Sequence, residues 1–201
     1  MEESQLVEQI KKGSREAFDR LYEKYMNTAV RMAYLITGNL ADSEDVVQES
    51  FVKAYLHMQE LKDNNGFKAW FFQILTRTSW QYCKRKAKEV ADDEIYQKAD
   101  RSDRTDSLDR VLQTEQSIAI CNAIRKLGVK HRSVIVLYYY NQMSTKEIAK
   151  ICECMEGTVK SRLFIARNQL KELLKEQIKE DSEKGEDCHE EFRTGNSKGV
   201  I

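Results

Sequence analysis

The chain has 201 residues, room for one or two small domains, and its lack of proline and mere eight glycines leave long helical stretches uninterrupted. Formal net charge is zero, with 33 basic and 33 acidic residues, but residues 113–175 hold eleven Lys/Arg against five Asp/Glu while 87–112 and 176–201 are acidic. A localised phosphate-binding surface has this pattern, and so do ordinary solvated helical faces. The acidic start carries no apolar run and nowhere do 18 apolar residues stand together, so neither a secretory signal nor direct membrane insertion is expected, and the expected location is cytoplasmic. Five scattered cysteines suit reduced thiols better than a disulfide framework.

Taken in order, Ser14 opens a helix with Phe18, Leu21, Tyr22, Tyr25, Ala29, Met32 and Ile36 at helical spacing, closed by Thr37-Gly38-Asn39. Asp42 is the expected cap of the next helix, whose buried stripe holds Val46, Val47, Phe51, Ala54, Tyr55, Met58 and Leu61. Lys62-Asp63-Asn64-Asn65-Gly66 is a loop. A third helix begins near Phe67 with Trp70, Phe71, Ile74 and Leu75 as core; Trp80 and Tyr82 lie beyond that stripe beside Lys84-Arg85-Lys86, where stacking on unpaired bases is an option. Residues 89–112 read as an acidic, flexible linker. Ile118, Cys121, Ile124 and Leu127 then make an amphipathic helix, and the apolar run 134–140 reads as helix despite its strand propensity. The acidic segment 177–201 is expected to be a mobile tail.

Ser144-Thr145-Lys146-Glu147 is a capping box, so a helix starts there, with Ile148, Ala149 and Cys152 inward. Glu153-Cys154-Met155 is a turn, and a second helix from about 156 to 167 places Val159, Leu163, Ala166 and Leu170 on its inner face. Thr158, Ser161, Arg162 and Ile165 then point outward, with Lys160 and Arg167 at the margins. This is the pattern of a helix-turn-helix lying in the major groove of duplex DNA. Gly157 lets backbone amides approach a phosphate, Lys160 and Arg167 neutralise phosphates, and Ser161 and Arg162 reach base edges. A helical hairpin that serves only packing is the alternative.

Met143-Ser144-Thr145-Lys146-Glu147-Ile148-Ala149, followed by Gly157-Thr158-Val159-Lys160-Ser161-Arg162-Leu163 and Ala166-Arg167, resembles the C-terminal domain of extracytoplasmic-function sigma factors of the sigma-70 family. Asp42-Ser43-Glu44-Asp45-Val46-Val47-Gln48-Glu49-Ser50-Phe51 is similar to the family's helix that docks on the core RNA polymerase clamp, and Phe67-Lys68-Ala69-Trp70-Phe71-Phe72-Gln73-Ile74 to its helix that holds melted promoter DNA. The resemblance implies an all-α fold of two small helical domains joined by a flexible linker, the C-terminal one containing the helix-turn-helix. The expected division is 1–88 (polymerase docking and promoter melting), 89–112 (linker), 113–176 (helix-turn-helix) and 177–201 (tail). It implies docking through Asp45, Gln48, Glu49 and Phe51. The melted -10 element would meet Lys62, Asn64, Asn65, Arg77, Trp80, Lys84 and Arg85, and the duplex -35 element Gly157, Thr158, Lys160, Ser161, Arg162 and Arg167. Implied partners are core RNA polymerase, promoter DNA and an anti-sigma factor, which in the family is commonly membrane-bound.

The chain departs from the family's usual pattern at Gly128, at Ile165 in place of an arginine, and at Arg77 and Gln81. Two rival readings are a helix-turn-helix regulator that acts without polymerase and a thiol or metal sensor built on Cys152-x-Cys154 and Cys188-His189. The second lacks zinc-ligand spacing. His57, His131 and His189 stand apart with no nucleophile beside them, so no catalytic residue, metal site or cofactor is expected.

Overall fold

The computed structural model describes the backbone of residues 2–93 and 115–194, and side chains over 2–89 and 118–175. The expected linker lies almost wholly outside the described residues. Among them all regular structure is helical, as expected: α1 (Glu3–Lys11), α2 (Arg15–Thr37), α3 (Leu40–Leu56), α4 (Phe67–Asp93), α5 (Glu115–Lys126), α6 (Val129–Ile135), α7 (Thr145–Ile151) and α8 (Glu156–Thr194).

In the N-terminal domain Ser14 caps α2 by accepting from the Ala17 amide, and Gly38 closes that helix at φ 84°, a left-handed conformation that glycine adopts without a Cβ clash. The cap of α3 is Asn39, whose side chain takes the Asp42 amide; the helix starts three residues earlier than the expected cap at Asp42, which lies inside the first turn. Helices α2, α3 and α4 close around Tyr25, Phe51, Phe67, Phe71 and Phe72, with Phe51 and Phe71 at 4.5 Å between ring centroids. Where α3 and α4 meet, the buried hydroxyls of Ser50, Thr76 and Ser79 return to the carbonyls of Val46, Phe72 and Leu75, at 2.6, 2.7 and 2.7 Å, so these polar side chains are satisfied within their own helices. Helix α1 was not expected. It buries Leu6, Val7 and Ile10 against α2 and the loop before α4.

In the C-terminal domain the run 134–140 is helical, ending in a single π turn at Val136–Tyr140. Gln142 and Glu153 take left-handed conformations, φ 53° and 48°, the second closing the turn between α7 and α8. Each costs about 1–2 kcal/mol, which the packing on either side must offset. Helix α8 does not stop near 167; its backbone continues to Thr194 through much of the segment expected as a tail.

The two domains touch. Helix α2 has no basic residue in its last turn, and the C-terminal domain supplies two. Arg132 donates to the Ile36 carbonyl, while Arg125 donates to the Tyr34 hydroxyl and lies 4.7 Å from the centre of its ring. Trp80 Nε1 of α4 donates to Ser133 Oγ of α6 at 2.7 Å.

Candidate nucleic-acid and polymerase interfaces

The helix-turn-helix is assembled by a capping box at the start of α7 and a side-chain link from there to the start of α8. Ser144 Oγ accepts from the Glu147 amide at 3.3 Å, and Glu147 Oε2 accepts from the Ser144 amide at 2.8 Å, the reciprocal pattern of a capping box. Hydrogen bonds from the Ser144 hydroxyl and amide hold the Glu147 carboxyl below the usual carboxylate range. Thr145 Oγ1 donates to Glu156 at 2.8 Å and Lys160 pairs with the same carboxylate at 2.9 Å, which ties the start of α7 to the start of α8.

On α8, Val159, Leu163 and Ala166 are buried, and Gly157, Lys160, Ser161 and Arg167 are exposed. Thr158 and Arg162 are half-buried. Ser161 Oγ donates to the Thr158 carbonyl at 3.0 Å, Arg162 leans on Cys154 Sγ at 3.8 Å, and the Arg167 guanidinium lies 5.4 and 5.5 Å from the rings of Tyr138 and Tyr139. A Cβ built on Gly157 would meet nothing within 4 Å, so no neighbour in the chain demands glycine there. Sequence reasoning missed Phe164, which stands 66% exposed beside Ile165 on the outward face. Its position one residue after Leu163 was the available signal.

The other nucleic-acid candidates fall into two groups. Lys62, Asn64 and Asn65 belong to the loop before α4, where Asp63 accepts from the amide of Asn65 at 3.0 Å and from its Nδ2 at 3.1 Å. With Gln5 and Lys11 of α1 the loop lines an open concavity of about 520 Å³. Arg77, Trp80, Lys84 and Arg85 lie farther along α4, beginning about 15 Å from its start at 1.5 Å per residue. Lys84 and Arg85 are exposed, Arg85 lying 5.3 Å from the Tyr82 ring centre. Burial, followed by a hydrogen bond to Asp42, raises the Tyr82 hydroxyl above its ordinary range, and Lys86 pairs with the same aspartate. Arg77 and Trp80 are engaged by the C-terminal domain: Arg77 pairs with Glu153, and Trp80 is half-buried against Ser133.

On α3, Asp45, Gln48 and Glu49 are exposed, Glu49 pairing with Lys53 at 2.6 Å. Phe51 faces the other way and is 3% exposed, so it holds the helix on α2 and α4 and presents little surface of its own. Tyr55, expected in the buried stripe, is 51% exposed, and with Val52 and Leu56 it forms an apolar patch beside a groove lined by Phe18 and Tyr22.

The described cysteines are free thiols, and burial pushes Cys152 up to about 12, which leaves it protonated and unreactive at neutral pH. Among the described residues no group of three or more His, Cys, Asp or Glu could hold a metal ion. Cys188 and His189 lie outside the described side chains. Among the described residues no helix is long and apolar enough to cross a membrane.

Known proteins match both halves of this arrangement. The family model for Sigma-70 region 2 matches residues 21–89, and that for Sigma-70, region 4 matches residues 118–170. The ECF RNA polymerase sigma factor SigW of Bacillus subtilis (strain 168) is 31% identical over 179 residues, spanning 85% of this chain and 95% of that protein. SigM of the same organism is 31% identical over 160 residues, 77% of this chain and 93% of its own. Among solved structures, the sigma factor RpoE in complex with the anti-sigma factor NepR from Bartonella quintana superposes with a TM-score of 0.63 at 28% identity, over 79% of this chain and 96% of that one. CnrH, solved with the cytosolic domain of CnrY, shares the fold, with a TM-score of 0.65 at 24% identity over 86% of this chain and 97% of that one. With region 2 matched over α2 to α4 and region 4 over the helix-turn-helix, in that order, the chain belongs to the extracytoplasmic-function (ECF) sigma factors of the sigma-70 family, which direct RNA polymerase to promoters.

Proposed function

We propose that Asp45, Gln48 and Glu49 of α3 meet core RNA polymerase, with Phe51 holding their helix in place. Lys62, Asn64 and Asn65, with Arg77, Trp80, Lys84 and Arg85, engage melted promoter DNA. Gly157, Thr158, Lys160, Ser161, Arg162 and Arg167 read the distal duplex element. The functional division follows 1–88, 89–112, 113–176 and 177–201. The observation that carries this reading is the pairing, on one chain, of an acidic and polar face on α3 with a polar, cationic outward face on α8. A regulator acting without polymerase would leave that face of α3 and its apolar neighbours Val52, Tyr55 and Leu56 without a role.

The protein works in the cytoplasm, carries out no chemistry of its own, and contributes affinity and positioning to the polymerase. An anti-sigma factor is its regulatory partner, a reading supported by the similar sigma factor RpoE, which was solved with the anti-sigma factor NepR. The test is transcription in vitro by core polymerase on a library of promoter fragments, with and without this chain. Start sites that depend on the chain are expected; their absence across the library would overturn the assignment.

A further inference from the structure

Lys11, the last residue of α1, reaches the loop before α4. Its backbone carbonyl accepts from Gln59 Nε2 at 2.8 Å, and its ammonium donates both to the Leu61 carbonyl and to Asn64 Oδ1, the latter at 2.8 Å. An ammonium group only donates, so the Asn64 carboxamide has one permitted orientation: oxygen toward Lys11 and both Nδ2 hydrogens away from it. The neighbouring Asn65 is fixed in the opposite sense. A carboxylate only accepts, so the Asn65 side chain must turn its Nδ2 to Asp63 Oδ1, at 3.1 Å, which leaves its own Oδ1 free. Two asparagines that look equivalent in sequence thus present opposite polarity, a donor pair at 64 and an acceptor at 65. Both line the same concavity as Lys11.

We propose that Lys11 is a specificity-positioning residue for melted promoter DNA: it locks Asn64 so that the loop meets an extruded base through amide donors, and the base atom it recognises is an acceptor, a ring nitrogen or a carbonyl oxygen. The inference rests on the assignment of Asn64 and Asn65 to the melted strand. Without the ammonium, a half-turn about the last side-chain bond would exchange donor for acceptor at nearly the same position, and the loop would no longer distinguish a base that offers an acceptor from one that offers a donor.

The experiment uses holoenzyme assembled from core polymerase and the full chain. A promoter it transcribes is varied through all four bases at each melted position, and the rate of open-complex formation is measured for wild type, Lys11→Met, Lys11→Arg, Asn64→Ala and Asn65→Ala. Lys11→Met, which keeps the aliphatic stem, is expected to reduce the ratio between the preferred and the worst base about tenfold at one position. Lys11→Arg, which restores a donor to Asn64, is expected to recover most of it, and binding to core polymerase should not change. An unaltered ratio in Lys11→Met, or an equal loss for all four bases, overturns the role of Lys11, the second outcome marking a phosphate contact or a displaced loop. If Asn64→Ala and Asn65→Ala also leave the ratio unaltered, it is the placement of this loop on the melted strand that fails, and the role of Lys11 fails with it.

Discussion

Arg162 shows how a single side chain on α8 is placed for the base contact proposed for it. The helical period turns it outward, and contact with Cys154 Sγ at 3.8 Å limits where its guanidinium can swing. A long cation held in this way loses less rotamer freedom on meeting a base than a fully solvated one. Replacing Arg162 with Ala is expected to cost about 1–3 kcal/mol of discrimination between the correct distal element and one altered at a single base pair. Competition binding by the holoenzyme over such variants checks this; a loss shared equally by all sequences would identify a phosphate contact instead. That Arg162 faces out was legible from the spacing of Val159, Leu163 and Ala166. Its sulfur neighbour was not, because Cys154 belongs to a turn whose path depends on the left-handed backbone of Glu153. Phe51 was legible in part: its spacing placed it in the buried stripe, but that it packs on Tyr22 and Phe71 is seen only in the folded chain.

Elements whose ends are set by neighbouring residues were the easiest to foresee. The Ser144–Glu147 capping box needs nothing beyond four consecutive residues, and it stands as expected. Helix α1 is the opposite case, a nine-residue segment too short to persist alone, which forms because Leu6, Val7 and Ile10 find cover on α2. The cap of α3 was open to a local ambiguity, since Asn39 and Asp42 are both good capping residues, and Asn39 prevails by taking the Asp42 amide. The Ser144–Glu147 cap also gives α7 an acid sensitivity. With the Glu147 carboxyl held below its ordinary 4.5 in the folded state, its stabilisation is fully present above that value and is lost as pH falls through the lowered one. Glu147→Gln keeps an acceptor for the Ser144 amide but cannot titrate, so its thermal unfolding should show a shallower decline below pH 4.5 than the wild type. Ser144→Ala should lose about 0.5–2 kcal/mol at neutral pH. An acid limb unchanged by Glu147→Gln would place the sensitivity elsewhere.

At the scale of the whole molecule, the contact between the domains includes polar groups that are incompletely paired. Arg125 and Arg132 reach α2, but the Nε atom of each is buried without a hydrogen-bond partner, and burial lowers the pKa of Arg132. In the proposed reading, Arg77 and Trp80 leave Glu153 and Ser133 before they meet DNA. Across the seam, the double substitution Ser133→Ala with Glu153→Gln removes the Trp80–Ser133 hydrogen bond and the exposed Arg77–Glu153 ion pair, together worth on the order of 1–2 kcal/mol. It is expected to enlarge the radius of gyration of the free protein in small-angle scattering and to strengthen its binding to a forked promoter fragment; unchanged dimensions would mean that other contacts hold the domains together. The sequence by itself determined the helical class, the order of the two domains, and the position of the helix-turn-helix. Each of these rests on periodicity, capping and motif strings that act over a few consecutive residues. Only the tertiary structure decided that α1 braces the loop through Lys11, that Tyr55 of the expected buried stripe is exposed, and that Arg77 and Trp80 are engaged across the domain seam. The contacts of Lys11 with Asn64, Arg77 with Glu153 and Trp80 with Ser133 join residues 53 or more positions apart, and no local pattern encodes such a meeting.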